Sequence, residues 1–510
     1  MHRDMRMGTA RAAWPAPGRL PTARWGPAAT RLALSACLAL LPGRAAAQGV
    51  VVRQETVARR MPQQTALDSV DRYLRAELAR QRIPGMSVAI LRGDSVVLAR
   101  GYGFANLEHR VPATDSTVYQ SASLGKQFTA AAIVTLAGEG RLRLDDPIRR
   151  YFPEGPPAWR SVTVRHLLTH TSGIPDYTDS TVDYRRDYTE DELVAMAARL
   201  PPEFPAGENW SYSNTGYVLL GVLVRRVTGR FYGDWLRERI FGPLDMRGAR
   251  VISESEIVPN RAAGYELVQG EIRNQEWVSP TLNTTADGSL YLSVRDLARW
   301  TVGLDEGRVL DRAGLAASWT PVRLRSGATY PYGFGWMLDH QRGRPRTGHT
   351  GSWQGFRTSI QRYPDSDLTV IVLANLDAAL PAPISYTVAG ILDPALLPPH
   401  LLPPRRGGPP QPLEALLAAV VADTAGARLT PGLRRFISKS MREEWSQALA
   451  SVRRWEGLGC DDVGDRQIDR LGARVARVCY ARAVGDGFRR LVSVAYTADW
   501  RATELDSYSY

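Results

Sequence analysis

Eight prolines fall within the nineteen residues 394–412, with Arg405-Arg406-Gly407-Gly408 among them. Proline locks φ, removes a backbone N–H and is excluded from helix interiors and central strands. No regular element can cross this stretch, so a chain of 510 residues must fold as separate units on its two sides, joined by a stiff, extended linker. Upstream, β-rich runs at 86–91 and 96–102 flank Arg92-Gly93-Asp94-Ser95, and runs at 355–363 and 368–375 flank Pro364-Asp365-Ser366-Asp367. Each reads as a hairpin around turn-forming residues. Leu67, Val70, Leu74 and Leu78 place a helix before the first hairpin, and the middle is mostly helical, with Thr189-x-x-Glu192 a capping box for a helix running to Leu200. Hairpins at both ends of a helical middle predict one antiparallel sheet closed by the two ends of an α+β unit over 66–393. Beyond the linker, 413–510 reads as two helices and then alternating runs at 474–481, 488–497 and 500–505, a small second α+β unit.

The net charge of +12 suggests a nucleic-acid partner until it is divided along the chain. Residues 1–47 carry seven arginines against Asp4, which leaves 57 basic and 51 acidic residues in the remainder, so half of the excess sits in the leader. There, Arg31 precedes the apolar run 32–41, and Ala45-Ala46-Ala47 offers the small side chains of a cleavage site before Gln48. Residues 1–47 are therefore expected to be a signal peptide and 48–65 a flexible segment, with the mature chain exported to the periplasm or the exterior. Leu34-Ser35-Ala36-Cys37 also fits a lipoprotein box, but only Leu32 and Ala33 separate it from Arg31, so anchoring at Cys37 is the lesser reading. No nucleic-acid partner is expected, and no apolar run after the leader is long enough for a transmembrane segment. Cys460 and Cys479 remain in the mature chain, an even pair that an oxidising compartment would join as a disulfide. The short C-terminal unit gains most from such a staple.

Only Lys126 and Lys439 are lysines, against 62 arginines. A chain that uses arginine wherever a plain charge suffices singles out a surviving lysine for work a guanidinium cannot do, because an amine can lose its proton. Lys126 stands in Ser121-Ala122-Ser123-Leu124-Gly125-Lys126-Gln127-Phe128 at the opening of a helical repeat, three residues after Ser123 and so on the same face. A hydroxyl at a helix N-terminus meets the positive end of the dipole, and a neutral lysine one turn on could take its proton. The bland alternative is a capping serine beside an unrelated surface lysine. Lys439 has no partner motif and reads as solvated. Two further segments bear on the choice. Trp210-Ser211-Tyr212-Ser213-Asn214 is a corner that can aim a phenol and an amide into a cleft, and Thr347-Gly348-His349-Thr350-Gly351-Ser352 is a glycine-flanked strand edge where backbone can approach a substrate.

In order, Ser123-x-x-Lys126, Tyr212-Ser213-Asn214 and His349-Thr350-Gly351 resemble the three motifs of the serine β-lactamase and penicillin-binding-protein superfamily. The similarity is to the branch of class C β-lactamases, D-alanyl-D-alanine carboxypeptidases, D-aminopeptidases and β-lactamase-like esterases. Leu144-Asp145-Asp146-Pro147-Ile148, the stretch 166–175 and Tyr332-Gly333-Phe334-Gly335-Trp336 look like the same branch. The resemblance implies a β-lactamase/transpeptidase-like domain, an antiparallel sheet with flanking helices and an all-helical region, followed by the small C-terminal α+β unit. It implies Ser123 as the acylated nucleophile, with Lys126 and Tyr212 exchanging its proton and the lysine charge lowering the tyrosine pKa from about 10. Asn214 would orient the substrate amide or the lysine, and the N–H groups of Ser123 and Ser352 would hold the oxyanion. His349 stands where true β-lactamases have lysine. A neutral imidazole offers a substrate carboxylate no permanent cation, which favours esters, amides or peptides, including peptidoglycan-derived ones, over β-lactams and terminal D-Ala.

Rival readings are thinner. His166-x-x-x-His170 has helical ligand spacing, but Leu167 stands where a zincin needs glutamate, so neither metal nor other cofactor is expected. No Gly-x-Ser-x-Gly elbow supports an α/β-hydrolase. Asp145 and Asp146, followed by Pro147, read as turn residues. β-Lactamase or D-alanyl-D-alanine carboxypeptidase activity proper is one alternative function. A non-catalytic receptor for penicillin or peptidoglycan is another, lacking here the usual membrane span and signalling module. Since none of the three motifs lies beyond Gly351, the acyl chemistry is expected not to need the C-terminal unit. Specificity is expected from cleft loops at 176–187 and 283–288.

Overall fold

The computed structural model describes residues 63–179, 182–404, 408–424, 426–463, 467–469, 471–486 and 488–509. The expected signal peptide, the stretch read as a lipoprotein box around Cys37 and the segment up to residue 62 lie outside the described residues. Helix α1 (Gln63–Arg80) leads into β1 (Gly85–Arg92), β2 (Ser95–Asn106) and β3 (Val111–Pro112). After a largely helical middle come β4 (Met337–Gln341), β5 (Arg344–Trp353), β6 (Phe356–Tyr363) and β7 (Leu368–Ala374). These form a seven-stranded antiparallel sheet in the order β4-β5-β6-β7-β1-β2-β3. Both expected hairpins are present, and β1 pairs with β7, Ile90 opposite Val370, so the two ends of the unit do close one sheet.

β1 is buried at its first seven residues, which explains why Gly85–Arg92 reads as an almost continuous apolar run. Val88, Ile90, Val370 and Val372 pack with Val70 and Leu74 of α1 and with Ile384 and Val388 of the helix Pro381–Leu392. On the opposite face Ala89, Leu91, Ile371 and Leu373 meet a larger core that contains the helix α2 (Lys126–Gly138). α2 is buried nearly all round, from Lys126 through Val134. The Thr189 capping box forms as read, with Glu192 reaching back to the N-cap of the helix Glu190–Arg199.

The C-terminal region differs from its sequence reading. Among the described residues it holds three helices, Leu413–Val421, Pro431–Phe436 and Lys439–Ala450, where two were expected, and a meander of four strands, where three were expected. These are β8 (Val452–Asp462), β9 (Arg477–Gly485), β10 (Phe488–Tyr496) and β11 (Ala502–Ser509), each paired with its neighbour in sequence. β8 escapes notice because it is an edge strand buried at one residue only, so its charged and glycine-rich sequence lacks the alternation of a half-buried strand. Cys460 on β8 is disulfide-bonded to Cys479, directly opposite on β9.

The proline-rich segment is not a free spacer. Pro394–Leu396 and Pro399–Leu401 are short helical turns, Leu396 and His400 are buried, and Arg482 of β9 donates to the carbonyl oxygens of His400 at 2.8 Å and Leu402 at 2.6 Å. Among the described residues no helix is long and apolar enough to cross a membrane.

Candidate active site

Ser123 lies in a tight helical turn, Ala122–Gly125, that runs directly into α2. The turn is pinned from three directions: Ser121 donates its N–H to the Leu290 carbonyl at 2.7 Å and its hydroxyl to the Gly288 carbonyl at 2.9 Å, and accepts from the Thr358 hydroxyl of β6 at 2.7 Å. Ala122 is held in the left-handed region at φ 51, a conformation that costs an L-residue energy and that the surrounding bonds must enforce. Two glycines allow this crowding. A Cβ at Gly288 would stand 2.3 Å from the Ala122 oxygen and 2.8 Å from the Ser123 nitrogen, and one at Gly351 would stand 2.3 Å from the Ser121 oxygen. Gly351 thus earns its place in the third motif by letting β5 close onto the backbone beside the serine.

Lys126 is fully buried and its ammonium has three acceptors, Ser123 Oγ at 3.2 Å, Asn214 Oδ1 at 2.6 Å and the Asp287 carbonyl at 2.5 Å. It lies over the rings of Tyr212 at 4.9 Å and Tyr217 at 5.4 Å. Burial pushes its pKa down to about 8, against the upward pull of Asp287 and Asp176. Lys439, by contrast, lies on the surface beside Glu443.

Asn214 opens the helix Asn214–Thr228, whose N-cap Ser213 accepts from the Gly216 N–H. Its amide is oriented by Asp176, which accepts from Asn214 Nδ2 at 2.9 Å and from its backbone N–H at 3.2 Å. That leaves the amide oxygen facing Lys126. Asp176 also accepts two bonds from Thr178, both 2.9 Å, and burial raises its pKa against these contacts and the lysine charge. Tyr177 donates to the Asp287 carboxylate at 3.0 Å.

The structure corrects the expectation for Tyr212. Its hydroxyl is buried, has no complete hydrogen bond among the described residues, and is pushed well above the ordinary tyrosine range by burial; the Ser123 hydroxyl is the neighbour that opposes this. Lys126 faces the Tyr212 ring, and burial raises the phenol pKa where the resemblance implied that the lysine would lower it. The ring is packed against His170 at 4.3 Å, and His170 Nδ1 accepts from the Ser213 N–H at 3.1 Å.

His349 on β5 is buried and held down to about 3 by burial, with Lys126 adding to the effect. It donates from Nδ1 to the Thr350 carbonyl at 2.6 Å and accepts at Nε2 from the Tyr332 hydroxyl at 3.0 Å. The third motif therefore offers a neutral ring and no cation. Thr350, Gly351 and Ser352 continue β5 opposite Ser359, Thr358 and Arg357 of β6, and the Ser352 hydroxyl accepts from Arg357. His166 and His170 have separate local roles: His166 accepts the Thr163 N–H in a helix cap, and His170 belongs to the aromatic wall behind Tyr212. Among the described residues no cluster of His, Cys, Asp or Glu is arranged to hold a metal ion.

The structure thus brings Ser123, Lys126 and Asn214 into one hydrogen-bonded group, with the Tyr212 ring against the lysine and His349 behind it. Cys460 and Cys479 lie in the C-terminal sheet. Asp176, Asp287 and Tyr332 were not singled out as site residues, although Asp176 and Asp287 fall within the stretches read as cleft loops and Tyr332 heads a supporting motif.

The Beta-lactamase family model matches residues 70–387. The chain is 32% identical over 306 residues to penicillin-binding protein 4* of Bacillus subtilis, covering 57% of this chain and 67% of that protein. It is 30% identical over 324 residues to a D-aminopeptidase of Brucella canis, covering 61% of this chain and 60% of that one. The chain therefore spans about two thirds or less of these relatives' length. Among solved structures, the octameric penicillin-binding-protein homologue from Pyrococcus abyssi has the same fold, with a TM-score of 0.57, 24% identity and coverage of 87% of this chain and 96% of that one. The D-amino acid amidase of Ochrobactrum anthropi SV3 complexed with L-phenylalanine amide gives a TM-score of 0.56 at 27% identity, covering 65% of this chain and 97% of the amidase.

Proposed function

This chain belongs to the Beta-lactamase family, and from that premise we propose that it is an exported serine hydrolase that works through an acyl ester on Ser123. The observation that carries the reading is the state of Lys126, a buried amine held down to about 8 and bonded at 3.2 Å to Ser123 Oγ. A group with a pKa near the working pH is an effective general base, and an arginine could not serve. Neutral Lys126 takes the Ser123 proton as Oγ attacks the substrate carbonyl. The N–H groups of Ser123 and Ser352 hold the developing oxyanion. The Tyr212 phenol would pass its proton to the leaving group and regain one from the Lys126 ammonium; neutral Lys126 then takes a proton from the water that attacks the ester, and that proton returns to Ser123 Oγ as the acyl group leaves.

Neutral His349 points to esters, amides or peptides whose recognition does not depend on a carboxylate. The D-aminopeptidase and D-amino acid amidase among its relatives support an amide of a D-amino acid as the class to try first. Export is supported by the basic, apolar and small-residue order of the leader and by the Cys460–Cys479 disulfide, a bond characteristic of oxidising compartments. The test is a panel of short acyl esters, D- and L-amino-acid amides and a cephalosporin reporter, each followed by mass measurement of a Ser123 adduct. Esters and amides should turn over faster than the cephalosporin, and Ser123→Ala should abolish both turnover and adduct. Undiminished turnover in that variant would overturn the mechanism.

A further inference from the structure

Among the described residues, the C-terminal region contributes Ile468 to the cluster behind Tyr212. Between β8 and β9, Gln467 pairs as a parallel bridge with Thr329, and the Ile468 N–H donates to the Thr329 carbonyl at 3.0 Å. Thr329 lies in the small hairpin formed by Val322–Arg323 and Thr329–Tyr330, which belongs to the catalytic unit. Ile468 is only 4% exposed, and what covers it is a cluster containing Trp210, Val322, Leu324, Ala328, Tyr330 and Tyr332, against which Tyr212 packs. Trp210 stacks on Tyr330 with ring centroids 3.8 Å apart, and Tyr332 is the residue that donates to His349. The described residues next to Ile468 are tied to one another. The buried Asp469 carboxylate accepts from the N–H groups of Leu471 and Ala473, both at 2.9 Å, and the Val475 N–H donates to the Gln467 carbonyl at 2.9 Å. The Cys460–Cys479 disulfide closes the base of the same connection.

We propose that Ile468 is a positioning residue for the acylation machinery, acting from the C-terminal sheet through the Trp210–Tyr330–Tyr332 cluster on Tyr212 and His349. Two of the three motifs rest on this cluster, and Ile468 closes it from outside the catalytic unit. A chain cut near Asp393 would remove Ile468 from the cluster that holds Trp210 and Tyr330, so the inference predicts, against the expectation from sequence, that the acyl chemistry needs the C-terminal unit. The inference rests on the roles proposed above for Ser123, Lys126 and Tyr212.

The test uses the full chain with Ile468→Asp, Ile468→Ala and Ile468→Val, measuring kcat and KM on a reporter ester, the rate of Ser123 adduct formation by mass, and melting. A misplacement of about 1 Å can cost on the order of 100-fold in rate, so Ile468→Asp should lose roughly 10- to 100-fold in kcat with KM nearly unchanged. Ile468→Ala should lose less, and Ile468→Val should retain most of the wild-type rate. If Ile468→Asp does not fold, Ile468→Ala decides. A folded Ile468→Asp chain with wild-type kcat, or a folded Ile468→Ala chain with wild-type kcat where Ile468→Asp does not fold, overturns the inference even if its melting point is lower, and so does a raised KM at unchanged kcat, which would make the loop a wall of the cleft. Failure of the wild-type chain to acylate Ser123 would instead remove the reading on which the inference rests. Equal adduct rates in wild type and Ile468→Asp would remove the inference alone.

Discussion

β1 of the seven-stranded sheet is buried along its length and hydrogen-bonds to β7 from the far end of the catalytic unit, whereas every strand of the C-terminal sheet pairs with its neighbour in sequence and β8 is buried at a single residue. The first sheet exists only when distant segments meet, and it carries a core on each face. The C-terminal sheet is assembled from local hairpins around a smaller core and carries a disulfide. The contrast extends to chemistry. A sheet and helices that bury both faces can desolvate an amine such as Lys126, while Lys439, on the helix before β8, has a side chain 90% exposed. Depth of burial, more than residue type, separates a base from a surface charge.

The sharpest way to break this contrast is to exchange each lysine for arginine. Lys126→Arg keeps the charge and removes the base, and kcat should fall by about 100-fold or more, the range usual for loss of a general base. Lys439→Arg should leave kcat unchanged. In the wild-type chain, acylation should rise with pH and level off above about 8, because the neutral amine is the active form and its fraction falls tenfold for each unit below that value. A pH-independent rate between 6 and 9, or a near-normal rate in Lys126→Arg, would reduce Lys126 to a charge.

A smaller effect is expected at Asp176, whose carboxylate orients Asn214 and pulls the lysine pKa upward. Asp176→Asn should lower kcat by roughly 10-fold through loss of amide orientation. It should also move the midpoint of the pH profile below about 8, since one of the two charges favouring the ammonium is gone and Asp287 remains. An unshifted profile would mean that the carboxylate does not act on Lys126.

The smallest effect on turnover should come from reducing the Cys460–Cys479 disulfide. The bond should contribute roughly 3 kcal/mol to the C-terminal sheet by restricting its unfolded chain. Reduction should lower the melting of that sheet and leave kcat intact below the new transition. If kcat fell with the sheet still folded, the staple would be needed to hold the loop that carries Ile468, and the two regions would be more tightly coupled than their separate cores suggest.

Much of the site was legible because its chemistry is local. Ser123 and Lys126 lie one turn apart on the same helical entry, and in a chain with two lysines the pairing stands out. Capping at Thr189 and both hairpins of the large sheet were likewise readable from a few adjacent residues, as was the pairing of the two cysteines. β8 was not, because an edge strand exposed on most of its length needs no apolar alternation. The proline-rich segment was read as a stiff, extended linker, and its composition says nothing of the bonds from Arg482 to the His400 and Leu402 carbonyls that hold part of it down.

The sequence by itself determined the chemistry available at each motif and the neutral character of the third one, since these follow from side-chain type and short-range backbone limits. Tertiary structure alone decided that Lys126 would titrate near 8 while Tyr212 stays protonated, that Asp176 would orient Asn214, and that Ile468 would cover the wall behind Tyr212. Each of these depends on groups distant in sequence excluding water from one place, and desolvation is a property of the assembled surroundings that no local pattern encodes.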